Sequence, residues 1–220
     1  MTTITTILCF GDSLTWGYNP LTHQRYPYEQ RWTTLLENKL NTNGTATIST
    51  ATKQYHVINN GLCGRTTIFD DPFLKNRNSQ ISLPTALETD NPDLVILMLG
   101  TNDCKTYING HSDQVTLGCL HLIHLIHSHD SAIKIIVLVP PHIDVTYFNS
   151  LMSLFFNEEA ENCSRELGER YKTLSKPFNV IVIDTNDYVH VSYDDGVHLN
   201  RIENDKLATK LFEYISEHPQ

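Results

Sequence analysis

No stretch of the chain approaches the ~18 consecutive apolar residues that a membrane-spanning helix needs. The opening MTTITT carries neither the positive segment nor the apolar core of a secretory signal. Basic residues are few: 16 Lys and Arg stand against 25 Asp and Glu, for a formal net charge of −9. That balance excludes the basic stripe of a nucleic-acid binder and the polybasic patch of a membrane anchor. No C-x-x-C pair is present. The five cysteines (Cys9, Cys63, Cys104, Cys119 and Cys163) are odd in number and widely spaced, which excludes the usual zinc and redox motifs and predicts reduced thiols. Neither G-x-G-x-x-G nor a Walker loop occurs, so no cofactor is expected. These absences together predict an acidic cytoplasmic protein without nucleic-acid, membrane or cofactor partners.

What is present is an alternation. Continuous apolar runs at Thr6–Phe10, Tyr55–Asn59, Leu94–Leu99, Lys134–Val139 and Asn179–Asp184 read as strands covered on both faces. Helical patterns fall between and after them, at Arg31–Leu40, Ser79–Glu88, Gln114–His129, Ser150–Thr173 and Glu203–Glu217. Strand alternating with helix predicts an α/β fold with a five-stranded parallel sheet between helical layers. No linker or repeat divides the 220 residues, so one domain, 1–220, is expected. Ligands of such sheets bind beyond the carboxyl ends of the strands. Gly11–Ser13, Asn60–Gly64, Gly100–Asp103 and Pro140–His142 should therefore meet on one edge, near the loop DDGVHLN before the last helix.

Asp12 and Ser13 follow the first strand directly. The pair suits a helix N-cap. It equally suits a nucleophile, provided that a base takes the serine proton. DGVH supplies Asp195 and His198 three residues apart, a spacing at which the carboxylate can hold one imidazole nitrogen and leave the other facing Ser13. The same spacing also fits a loop acid that caps the next turn. Asn102 in LGTND and the backbone of Gly64 in NNGLCGRTT could donate hydrogen bonds to an oxyanion at the same rim. Each is also compatible with an ordinary turn rich in Gly and Asn. G-x-S-x-G is missing around Ser13, which argues against the α/β-hydrolase elbow.

Four blocks, FGDSLTWG, GLCGRTT, LGTND and DGVHL, occur in this order and resemble those of the SGNH, or GDSL, hydrolases. The longer forms CFGDSLTWGY, GLCGRTTIFDDP and DLVILMLGTNDCK are most similar to the bacterial arylesterase and acyltransferase branch. The resemblance implies a flavodoxin-like three-layer sandwich. It also implies Ser13 as nucleophile, His198 as base and Asp195 as its partner, with the Ser13 N–H, the Gly64 N–H and the Asn102 amide as oxyanion hole. It further implies hydrolysis of short acyl esters through an acyl-serine, acyl transfer to alcohols in some members, and a homo-oligomer. Other branches deacetylate sugars or cleave lysophospholipids and thioesters. The reading from another class is a flavodoxin-like binding module in which GDSLTWG cradles a phosphate, a reading that leaves Asn102, Asp195 and His198 without a role.

Leu14 and Trp16 are expected to flank the acyl group, and His142, after Pro140 and Pro141, to line the pocket. His121, His124 and His127 recur every three residues on one predicted helix and read as a solvated stripe rather than a metal site. Cys63 reads as packing rather than as a second nucleophile. The apolar stretch Tyr147–Phe156 fits either a pocket cover or an interface.

Overall fold

The computed structural model describes residues 3–43 and 53–218. Five parallel strands, β1 (Thr3–Gly11), β2 (Lys53–Gly61), β3 (Leu94–Met98), β4 (Lys134–Val139) and β5 (Ile181–Asp184), form one sheet in the order β2-β1-β3-β4-β5. The helices are α1 (Ser13–Trp16), α2 (Trp32–Asn43), α3 (Ser79–Asp90), α4 (Ser112–His129), α5 (Glu158–Phe178) and α6 (Arg201–Glu217).

Alternation along β1 builds both halves of the core. Leu8 and Phe10 pack on one side with Leu83 and Leu87 of α3, Leu122 and Ile126 of α4, and Leu167 and Tyr171 of α5. Ile7 and Cys9 pack on the other with Trp32 and Leu36 of α2 and Leu207 and Leu211 of α6. The inner strands β1, β3 and β4 are thus covered on both faces along most of their length and read as continuous apolar runs, whereas the edge strands β2 and β5 are only partly buried. From β1 the chain steps outward to β2, then crosses back to β3 and onward. The direction reverses between β1 and β3, and the loops leaving those neighbouring strands part there to leave a crevice.

Several boundaries differ from the sequence expectation for identifiable reasons. β1 starts at Thr3 because backbone pairing with Lys53 and Gln54 carries the strand past its apolar segment. β5 starts at Ile181 because Asn179 takes a left-handed turn conformation at φ 51°. The long helix expected from Ser150 begins only at Glu158. The Asn149 carboxamide oxygen accepts from the N–H groups of Leu151 and Met152, both at 3.0 Å, and turns the chain into a short 3-10 segment, Met152–Leu154. The Asn157 side chain then accepts from Ala160 N–H at 3.0 Å and starts α5.

Candidate active site

β1 ends at Gly11, where a Cβ would lie 2.1 Å from Thr15 Oγ1 and 2.7 Å from the Met98 carbonyl oxygen. Only glycine lets the strand turn this tightly. Asp12 then caps α1, its Oδ1 accepting from Leu14 N–H at 2.9 Å. α1 is a single turn closed by Gly17 at φ 92°. Ser13 is its first residue, at the sheet edge.

The partner of Ser13 comes from 185 positions away: its Oγ lies 2.9 Å from His198 Nε2. His198 Nδ1 lies 2.6 Å from Asp195 Oδ2. The other oxygen of Asp195 accepts from the N–H groups of Val197 at 3.0 Å and His198 at 2.9 Å, so the D-G-V-H segment wraps around its own carboxylate. Burial by itself would raise the Asp195 pKa. The hydrogen bond and charge of His198, with these backbone donors, outweigh it and hold the carboxylate below its ordinary range. An ionised, buried acid fixes the imidazole with Nδ1 protonated and Nε2 facing the serine hydroxyl. The Tyr18 ring lies against the imidazole, with centroids 4.2 Å apart, and its hydroxyl meets His23 Nδ1 at 3.0 Å.

Asn102 opens a 3-10 turn, Asn102–Cys104, after β3. Its Nδ2 donates to Asp12 Oδ2 at 3.2 Å and to the Arg65 carbonyl at 3.1 Å. Gly64, in the turn after β2, sits at φ 84°, and a Cβ there would approach Leu74 Cδ1 to 2.9 Å. The backbone conformation favours glycine, while the Leu74 side chain could shift to relieve the contact. Arg65 is buried beneath these groups. Its guanidinium lies 4.0 Å from the Phe10 ring centroid and donates to the Gly11 carbonyl at 2.8 Å. Burial lowers its pKa to about 10, a shift that Asp12 opposes. Burial also pushes Asp12 up to about 6, against the Leu14 N–H and the charges of His198, Arg65 and Lys105.

Ser13, Gly64, Asn102 and His198 line one cavity of ≈ 820 Å³. Its walls are largely apolar, built from Phe73 and Leu74, Tyr107, and Leu151, Met152, Leu154, Phe155 and Phe156. A buried ion pair supports one wall: Lys105 Nζ lies 3.1 Å from Asp71 Oδ2, which also accepts from the Tyr107 hydroxyl at 3.2 Å.

The structure brings Ser13, Gly64, Asn102, Asp195 and His198 together and leaves three expected residues outside. Leu14 is buried in the core beside Trp32, whose indole N–H donates to the Leu14 carbonyl at 3.0 Å, so it cannot flank a ligand. Trp16 does not line the cavity: the Arg25 guanidinium covers its ring at 5.1 Å and Arg25 Nε binds its carbonyl at 2.8 Å. His142 lines a separate cavity of ≈ 560 Å³ with Asp144, Arg165 and Asp184, because the loop after β4 is held toward β5 by Asn186. The apolar stretch before α5 contributes a wall of the catalytic cavity. Tyr18, Arg65, Lys105 and Asp71 were missed as parts of the site, although Arg65 and Lys105 stand inside or beside the sequence blocks and Tyr18 follows Gly17 directly. No group of three or more metal-ligating side chains occurs among the described residues, and His124 packs edge-on against Phe178 at 5.3 Å. No described helix is long and apolar enough to cross a membrane.

A hydroxyl, an imidazole and a carboxylate linked in series at a sheet edge define the class as that of the serine hydrolases. The match to the GDSL-like lipase/acylhydrolase family model extends over residues 9–202, and the chain belongs to that family. Among solved structures it is similar to the native aryl esterase of M. smegmatis, with TM-score 0.87 and 32% identity over 97% of this chain and 99% of that one. It is also similar to Est24, a carbohydrate acetylesterase from Sinorhizobium meliloti, with TM-score 0.86 and 32% identity over 97% of this chain and 99% of that one. A search of curated proteins gave no significant match. The family and these neighbours support a carboxylic ester hydrolase on the SGNH fold.

Proposed function

We propose that the protein is a serine esterase for short-chain acyl esters of aryl or alkyl alcohols, with Ser13 as nucleophile, His198 as base and Asp195 as the acid that orients it. The observation that carries this reading is the unbroken series from Ser13 Oγ through His198 to Asp195, at 2.9 Å and 2.6 Å, opening into an apolar cavity. Ser13 Oγ attacks the ester carbonyl carbon as its proton passes to His198 Nε2. The carbonyl oxygen becomes an oxyanion beside the Ser13 N–H, the Gly64 N–H and the Asn102 amide. His198 then gives its proton to the departing alkoxide, leaving an acyl-Ser13 ester. Water enters, loses a proton to His198 and attacks the acyl carbon. The second tetrahedral intermediate collapses to the carboxylic acid, with the proton returned to Ser13.

The cavity volume of ≈ 820 Å³ lies within the range of small-molecule sites, and its aromatic and aliphatic walls suit an aryl or short alkyl group. Those same walls disfavour water and support acyl transfer to an alcohol as a second outcome. Phe73 at 72% and Leu154 at 69% exposure form an apolar rim that is consistent with burial against a second copy. Light scattering tests that association. The test of the catalytic reading joins turnover to chemistry. Wild-type protein should hydrolyse p-nitrophenyl acetate and take up one fluorophosphonate on the peptide bearing Ser13. Ser13→Ala should lose both while melting normally. A label on another residue, or turnover retained in Ser13→Ala, overturns the assignment.

A further inference from the structure

Five scattered cysteines without a pairing motif predict unlinked thiols, and all five are free in the structure. Folding nevertheless brings two of them together. Cys104 Sγ and Cys163 Sγ lie 2.7 Å apart, from positions separated by 59 in the chain. Cys104 ends the turn that begins with Asn102, and Cys163 lies on α5. The two sulfurs are closer than ordinary non-bonded contact. In the reduced state each thiol also has a carbonyl neighbour: Gly100 at 3.4 Å for Cys104 and Gly110 at 3.3 Å for Cys163.

Access differs between them. Cys104 is buried and Cys163 is partly exposed. Both line a second cavity of ≈ 590 Å³, with Gly110, His111, Asn157 and Glu166, that is distinct from the catalytic one. Neither sulfur lines the catalytic cavity.

We propose that Cys104 and Cys163 are a reversible modification site: a dithiol that closes to an intramolecular disulfide and ties the Asn102 turn to α5. The oxidant class is a low-molecular-weight disulfide. The Cys163 thiolate, the more accessible sulfur, attacks it and expels one small thiol. The Cys104 thiolate then attacks the Cys163 sulfur of the mixed disulfide and expels the second. The two cysteines give up two hydrogens and two electrons, and the small disulfide is reduced to two thiols. The hydrogen bond with Cys163, together with burial, holds the Cys104 thiol well above its ordinary pKa. The closing step is therefore slow near neutrality and accelerates as pH rises.

Oxidised glutathione at pH 8, added to the 220-residue chain, tests the assignment. The expected intact mass falls by two hydrogens, and a non-reducing peptide map shows one new species joining the Cys104 and Cys163 peptides. Dithiothreitol reverses both changes. Closing a loop of 59 residues should also raise Tm, by about 5–10 °C. Cys163→Ser should show neither the cross-link nor the Tm rise. A persistent glutathione adduct on Cys163, a cross-link through Cys63, or unchanged wild-type protein would each overturn the proposal. The wild-type map decides the question even where the variant fails to fold.

Discussion

Replacing Asn102 with Ala separates what this side chain does in the reaction from what it does in the fold. Its amide is the expected side-chain donor to the oxyanion, and losing one such donor typically lowers kcat by ~10²–10³. In the resting protein the same Nδ2 serves two buried acceptors, Asp12 Oδ2 and the Arg65 carbonyl. Stranding a buried acceptor costs about 1–3 kcal/mol, and for a chain of this length each kcal/mol shifts Tm by about 2–4 °C. The stability loss should itself depend on pH. Asp12 sits at about 6, above the ordinary 3.8, so its ionisation opposes folding: the neutral form's advantage is present at low pH and is lost as pH rises through about 6. At pH 8 that ionisation penalty is on the order of 3 kcal/mol, and removing the Asn102 donor should enlarge it. Asn102→Ala should therefore melt lower than wild type, with a larger gap at pH 8 than at pH 5. Its kcat for p-nitrophenyl acetate, measured well below Tm, should fall by two to three orders of magnitude with little change in KM. An unchanged kcat with a raised KM would remove the oxyanion role. A gap in Tm that does not widen with pH would remove the coupling to Asp12.

Asp195→Asn should lower kcat on the order of 10⁴-fold, because a carboxamide no longer fixes the imidazole tautomer; a loss below ten-fold would refute the orienting role. Tyr18→Ala should lower kcat about 3–10-fold by removing the ring against His198, while Tyr18→Phe keeps the ring and the rate; equal losses in both would shift the role to the hydroxyl. Asp195, held below the ordinary carboxylate range by His198 and its backbone donors, contributes stability above that range and loses it only as pH falls through its lowered value, so the Tm gap between wild type and Asp195→Asn should close in acid. A Tm gap that stays constant on acidification would refute that contribution. Burial also places Asp103 at about 6, so it and Asp12 together should make the wild-type protein lose Tm between pH 5 and pH 8; a rising Tm across that window would refute the burial argument.

The sheet was legible because its inner strands are covered on both faces and carry continuous apolar runs. The residues of the site were legible as types at strand ends, and the blocks in which they stand placed them in a family. What stayed hidden was direction. Leu14 and Trp16 flank Ser13 in sequence, but a single helical turn sends one into the core against Trp32 and the other under Arg25. His142 follows the fourth strand as Asn102 follows the third, yet β4 lies beyond β3 from the β1–β3 crevice, so its loop opens a different cavity. The segment before α5 has a helix-like apolar content. Asn149 and Asn157 interrupt it through local side-chain bonds that compete with the helix and that hydrophobic periodicity does not register.

The turn that carries Asn102 shows how the fold makes a donor rigid without a long element behind it. Each of its successive residues is held by a different part of the chain. Asn102 reaches Asp12 and the Arg65 carbonyl. Asp103, fully buried, accepts from the Thr67 N–H at 3.0 Å and from the Thr67 hydroxyl. Cys104 touches Cys163 of α5, and Lys105 pairs with Asp71. The loops after β1 and β2, the segment before α3 and helix α5 thus converge on one short stretch. A donor held near its final position limits the reorganisation needed as charge develops; both Asn102 amide hydrogens are engaged at rest, so one turns from Asp12 or the Arg65 carbonyl to the oxyanion. Four separate anchors supply that fixity even though each side-chain bond alone is modest. The anchors are also unequal in kind. Those at Asn102 and Lys105 face the catalytic cavity and bear on substrate directly. Those at Asp103 and Cys104 lie behind it, so changes there should reach the reaction only through the position of the Asn102 amide. Thr67→Val removes a hydroxyl from Asp103 while keeping side-chain volume and the backbone donor. It should therefore lower kcat and Tm together and leave KM nearly unchanged, whereas a change confined to KM would place Thr67 in contact with substrate and undo the division between front and back anchors.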